Sequence, residues 1–156
     1  NYKKHTHYMY NCAYPINILL KKCNFNLAAL KNSFLRLSTK EIRIIMKAFT
    51  GHNNLNSHLY RMNMALDPLC EYCDLQNTGI DPAFCPEEDA IHIFEDCPSF
   101  TLLRIGHFED FKINLKDILN QKSPLTTTLK RIAKFFIKSG CFTKEPKFRE
   151  PISPKR

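Results

Sequence analysis

No acidic residue precedes Glu41, no apolar run approaches the length of a membrane span, and no apolar signal segment follows the first residues. The first absence excludes a carboxylate-based two-metal centre from the first forty residues. The second is measured by the stretch Ile16 to Leu20, which is interrupted by Asn17 and far short of the ~20 residues a spanning helix needs. The third, with an odd count of seven cysteines, argues against a secreted disulfide scaffold and for an intracellular chain. An initiator methionine is also missing, so the chain reads as a piece of something longer. Wholesale disorder is not expected, because 44% of the residues are apolar and 12% are aromatic. A length of 156 residues suits one compact domain or two small ones.

The informative stretch runs from Pro68 to Cys97. It opens with Cys70-Glu71-Tyr72-Cys73 and closes with His92-Ile93-Phe94-Glu95-Asp96-Cys97. As ligands these residues spell C-x2-C, an eighteen-residue gap, and H-x4-C. Two residues between cysteines let a tight turn aim both sulfurs at one ion. Four residues between His92 and Cys97 place an imidazole and a thiolate about one helical turn apart. Three sulfurs and one nitrogen make a closed tetrahedral set for one structural Zn2+, with no position left for a catalytic water. Free cysteines, disulfides and a half-buried core histidine are the plainer alternatives. Cys85, inside the gap in Phe84-Cys85-Pro86, is a possible substitute for one of the four.

Charge is distributed unevenly along the chain. Residues 1 to 64 hold ten Lys or Arg against Glu41 alone, and residues 65 to 111 hold eleven acids against Arg104 alone. Residues 112 to 156 return to twelve bases against three acids. Two basic arms thus flank an acidic middle. The arms point to nucleic acid, with Tyr2, Tyr8, Tyr10 and Tyr14 interleaved among Lys and His as stacking groups. Candidate phosphate contacts are Lys3, Lys4, Lys21, Lys22, Lys130, Arg131 and Lys134. A solvated basic face is the alternative.

Helical signals fill most of the rest. Leu27, Leu30, Phe34, Leu35 and Leu37 have helical spacing, and Ser38-Thr39-Lys40-Glu41 is a capping box. Behind it Ile42, Ile45, Met46 and Phe49 share a face, and Gly51 supplies a left-handed stop. A second helix is expected from about Asn54 to Met64, with Leu55, Leu59 and Met62 on one stripe. The acids Glu87-Glu88-Asp89 are read as solvated members of a polar loop. Phe100, Leu102, Leu103, Ile105 and Phe108 suggest a further helix despite Gly106. Asn114 caps a short one through Leu119, and Pro124 to Gly140 bounds the clearest of all. The expected fold is mostly α, a small helical domain organised around a Cys3His zinc knuckle with a long inserted loop and basic flexible termini. Residues 1–37 are the basic N-terminal arm ending a preceding region, 38–142 the helical zinc-binding domain, and 143–156 a disordered basic tail.

The segment Phe49-Thr50-Gly51-His52-Asn53-Asn54-Leu55-Asn56-Ser57-His58-Leu59-Tyr60-Arg61-Met62 resembles the "L-T-G-H-G, then a helix ending L-x-R" segment of non-LTR retrotransposon reverse transcriptases. There it precedes a zinc-binding motif in the C-terminal region. Pro68-Leu69-Cys70-Glu71-Tyr72-Cys73 and Glu88 to Phe100 are similar to that family's two half-motifs, and Leu129 to Cys141 is similar to its weaker closing pattern. Arg104 stands near where the family carries an arginine on the next helix. The likeness covers about residues 38 to 142. Asn53 stands where the family usually has glycine, and the long gap with Cys85 departs from its spacing.

The resemblance implies a binding module that follows the polymerase and ribonuclease H domains and helps hold template RNA or target DNA. Its partners would be RNA, DNA and the remainder of the reverse transcriptase polyprotein, and not a membrane. Its location would be the nucleus or a cytoplasmic ribonucleoprotein. Without carboxylate clusters, no enzyme activity of its own is expected. A non-catalytic module that docks on the polymerase domain without touching nucleic acid is the alternative. His52 is read as packing beside the Gly51 turn and not as a ligand.

Overall fold

The structure is a computed structural model that describes residues 27–74, 85–120 and 123–143. Lys3, Lys4, Lys21 and Lys22, the expected flexible termini and most of the expected inserted loop lie outside the described residues. Within them the chain is helical, and the only extended pairing is an isolated antiparallel bridge between Leu69 and Glu87. The helices are α1 (Leu27–Phe34), α2 (Thr39–Thr50), α3 (Asn56–Arg61), α4 (Glu71–Asp74) and α5 (Ala90–Glu95). A 3-10 turn at Pro98–Phe100 leads into α6 (Thr101–Phe108), followed by α7 (Leu115–Leu119) and α8 (Leu125–Ser139). A second 3-10 turn, Cys141–Thr143, closes the described chain.

Local signals explain the longer helices. Ser38 accepts a hydrogen bond from the Glu41 amide, and the Glu41 carboxylate accepts one from the Ser38 amide at 2.7 Å, so the capping box forms as its sequence predicts. Gly51 and Gly140 end α2 and α8 with φ of 70° and 67°, in the left-handed region that favours glycine. Asn53 is a structural residue. Its amide nitrogen donates to the Lys47 carbonyl at the end of α2, and its oxygen accepts from the Leu55 amide.

Helix α8 is the core's central strut and lies against α1, α2, α6 and α7. It buries Leu129, Ile132, Ala133, Phe135 and Phe136, while Lys134 and Lys138 are exposed. Phe94 of α5 stands edge-on to Phe108 and Phe135 at 5.2 and 5.1 Å and stacks on Phe136 at 5.8 Å. The ligand-bearing helix is thereby anchored in the aromatic core. Leu30 and Phe34 of α1 also pack against that core, so the helical unit includes residues that the sequence assigns to the N-terminal arm.

Three expectations change. Helix α3 is shorter than its stripe, because Asn63 turns at φ 57° and Met62 is left largely exposed. Met46 faces solvent and Ala48 takes the inner position on α2. On α6 the inner face belongs to Arg104, 1% exposed, while Leu102 is 85% exposed and Ile105 is also outside. The aromatic packing predicts that Phe94→Ala lowers stability by about 3–5 kcal/mol, read from the chemical-denaturation midpoint under reducing conditions.

Candidate metal centre

Four side chains converge at one point. The sulfurs of Cys70, Cys73 and Cys97 and a ring nitrogen of His92 all lie within 4.8 Å of one another. The Cys70 and Cys73 sulfurs each stand 3.9 Å from that of Cys97, and Cys73 Sγ is 3.2 Å from His92 Nε2. A disulfide would bring two sulfurs to about 2.05 Å. Tetrahedral coordination at metal–sulfur distances of about 2.3 Å instead separates them by about 3.8 Å. The spacing therefore fits a shared ion, and a metal could sit among these four donors.

Each half-site is positioned by local chemistry. Helix α4 carries Cys73, with Cys70 immediately before it. The Leu69–Glu87 bridge, through Cys70 N to the Pro86 carbonyl at 3.0 Å and Glu88 N to the Pro68 carbonyl at 2.8 Å, returns the chain beside the first half-site. Asp89 caps α5 by accepting from the His92 amide at 2.7 Å. His92 Nδ1 donates to Asp96 Oδ1 at 2.8 Å. That bond leaves the Nε2 lone pair facing the sulfurs, the tautomer a metal ligand requires.

The acids at 87–89 are not solvated bystanders. Glu88 is fully buried, with Oε1 accepting from the Asn56 amide at 3.1 Å and Oε2 from the Glu71 amide at 2.9 Å. One carboxylate thus caps the N-termini of both α3 and α4 and holds the C-x2-C turn against its neighbour. Glu87 accepts from Ser57 Oγ at 3.0 Å. The backbone amides at Asn56 and Glu71 offset the desolvation of Glu88, while Glu87 stays exposed and Asp89 is half-buried.

The thiols of the cluster do not ionise independently. Cys97 stabilises the Cys70 thiolate by hydrogen bonding and draws its pKa down to about 4. Burial pushes Cys73 up to about 12, and the hydrogen bond to Cys70, followed by burial, pushes Cys97 up as well. Burial disfavours charge on His92, yet the Cys70 thiolate and the Asp96 carboxylate outweigh it and raise its pKa. Without a cation one thiolate suppresses ionisation of the others. A central dication favours all three.

Cys85 lies beside the site and outside the cluster, its sulfur 3.6 Å from the Cys70 carbonyl oxygen. His52 is also outside it and stacks on His58 at 5.1 Å. On α8, Lys134 is exposed and Lys130 half-buried. Arg131 is committed to the fold, because Nε and Nη2 both donate to the His107 carbonyl and the guanidinium lies 4.9 Å above the Phe108 ring. Asp96 was legible in principle as a carboxylate four residues after a histidine. Glu88 acts across the fold and carries no local signal, while Arg104, noted in the sequence only by the family likeness, bonds groups 3 to 11 residues away.

Substitutions of two kinds test the centre. Cys73→Ser or Cys97→Ser should abolish uptake of one Co2+ per chain, followed by its sulfur-to-cobalt absorption, while Cys85→Ser should retain it. Glu88→Ala orphans two backbone donors and should cost about 2–4 kcal/mol in the denaturation midpoint, with Glu88→Gln losing less. Equal stability of Glu88→Ala and wild type would remove the double cap from the account. No protein-family model matches the chain, and no curated protein or solved structure matches it.

Proposed function

We propose that the chain is a nucleic-acid-binding module folded around one structural zinc ion. In this reading it corresponds to the C-terminal region of a non-LTR retrotransposon reverse transcriptase and helps that enzyme hold template RNA or target DNA. The closed Cys3His donor set carries the zinc half of the reading. Thiolates and an imidazole suit zinc and disfavour magnesium or calcium, which take oxygen ligands. Four protein donors fill a tetrahedral shell, so the ion holds structure and activates no water. When bound it ties α4 to α5, and the chain's own role is to bind. The chain then has no catalytic residue of its own.

The nucleic-acid half rests on charge placement and on the family likeness at residues 49–61 and around the ligands. Lys130, Lys134 and Lys138 recur every four residues along α8, away from its buried face. Burial lowers the pKa of His107, and Lys138, Lys134 and Arg131 lower it further, so these cations share one region of the surface. A phosphate backbone suits such a row. The basic arms would add Lys3, Lys4, Lys21 and Lys22. Nuclear or ribonucleoprotein localisation belongs to the same proposal; among the described residues no helix is long and apolar enough to cross a membrane.

A second reading draws on a specific observation. Leu102, Ile105 and Phe111 are exposed at 85%, 44% and 68%, an apolar display on and just after α6. It would suit docking on the polymerase domain without nucleic-acid contact. Fluorescence anisotropy with labelled single-stranded RNA and DNA separates the two. Binding should fall steeply between about 50 and about 200 mM salt, and replacing Lys130, Lys134 and Lys138 by Gln should lower the logarithmic salt slope by about 2. No binding at any salt would sink the nucleic-acid reading and leave the docking one.

A further inference from the structure

Arg104 is among the largest fully buried side chains, at 1% exposure. Its guanidinium makes four hydrogen bonds, none of them to an acid. Nη2 donates to the Cys97 carbonyl at 2.7 Å and to Thr101 Oγ1 at 3.0 Å, Nη1 to the Ile93 carbonyl at 3.4 Å, and Nε to the Phe111 carbonyl at 2.8 Å. Among the described residues it forms no salt bridge. All four acceptors are neutral, so no carboxylate bonds the guanidinium directly. A buried charge in that condition is costly unless an opposite charge lies nearby.

The metal centre supplies that charge. Resting on the zinc reading above, a dication held by three thiolates and a neutral imidazole carries one net negative charge. It too is buried, and the carbonyl of one ligand, Cys97, accepts directly from Arg104. We infer that Arg104 is the counter-cation of the metal centre, balancing the one negative charge of the ion and its four ligands. Each charge offsets the burial cost of the other. Arg104 touches no metal-ligating atom, so it acts by position and field. It also ties the end of α5 to the turn after α6.

The alternative is that the guanidinium is only a brace among carbonyls, and substitutions divided by charge and by hydrogen bonding separate the roles. Arg104→Lys keeps the charge and loses the fork. Arg104→Gln keeps amide donors and loses the charge. Zinc affinity of the full chain is measured by competition with a chelator, with Co2+ absorption checking that the donor set is unchanged and circular dichroism checking the helices. A counter-cation predicts that Arg104→Lys stays within about threefold of wild type while Arg104→Gln weakens zinc by about tenfold or more. Equal losses in the two, or a greater loss in Arg104→Lys, would overturn the inference. So would an Arg104→Lys chain that fails to fold with zinc present, since retained charge should then suffice. Wild type that takes up neither metal would instead sink the zinc reading itself, and that result is visible before any variant is made.

Discussion

Two half-sites separated by eighteen residues must bring four donor atoms to one point, and the surrounding elements serve that closure. Closing a loop of this length carries an entropy cost that thiol and imidazole contacts alone do not repay. The fold meets it in layers. The Leu69–Glu87 bridge brings the two segments side by side, the Glu88 carboxylate joins α3 to α4, and Phe94 fastens α5 to α8. An ion among the four donors would complete the closure.

The interior is accordingly less apolar than its composition suggests. Glu88 and Arg104 are both buried, and each serves backbone groups at helix ends and turns. Glu95 does similar work, accepting from the Leu115 amide at 2.8 Å through its carboxylate and from the Ile113 amide through its carbonyl, which seats α7 beside α5. Short helices leave many unpaired amides and carbonyls per residue. A domain built from pieces as short as α3, α4 and α5 therefore needs long polar side chains inside to satisfy them.

Much of this was legible where the signal is local. The donors announce themselves by spacing, the start of α2 by Ser38 and Glu41, and the ends of α2 and α8 by Gly51 and Gly140. Periodicity failed where a polar contact or a backbone turn, and not apolar spacing, decides the face. Leu102 and Ile105 read as inward until Arg104 takes the inner side of α6, and Met62 reads as helical until the chain turns at Asn63. Glu88 sits in an acidic run that reads as solvated. Its partners lie 32 and 17 residues away in sequence, beyond the reach of any pattern.

The Leu69–Glu87 pairing also sets how the chain tolerates change. It joins the residue before the first half-site to one shortly before the second, so the two half-sites are registered against each other at the ends of the segment between them. Doubling such a segment costs only about 0.6 kcal/mol in closure entropy. Length between the half-sites can thus vary at small cost so long as the pairing at its ends is kept. Spacing between the half-sites is for that reason a poor measure of kinship, and the two short motifs with the residues that brace them are a better one.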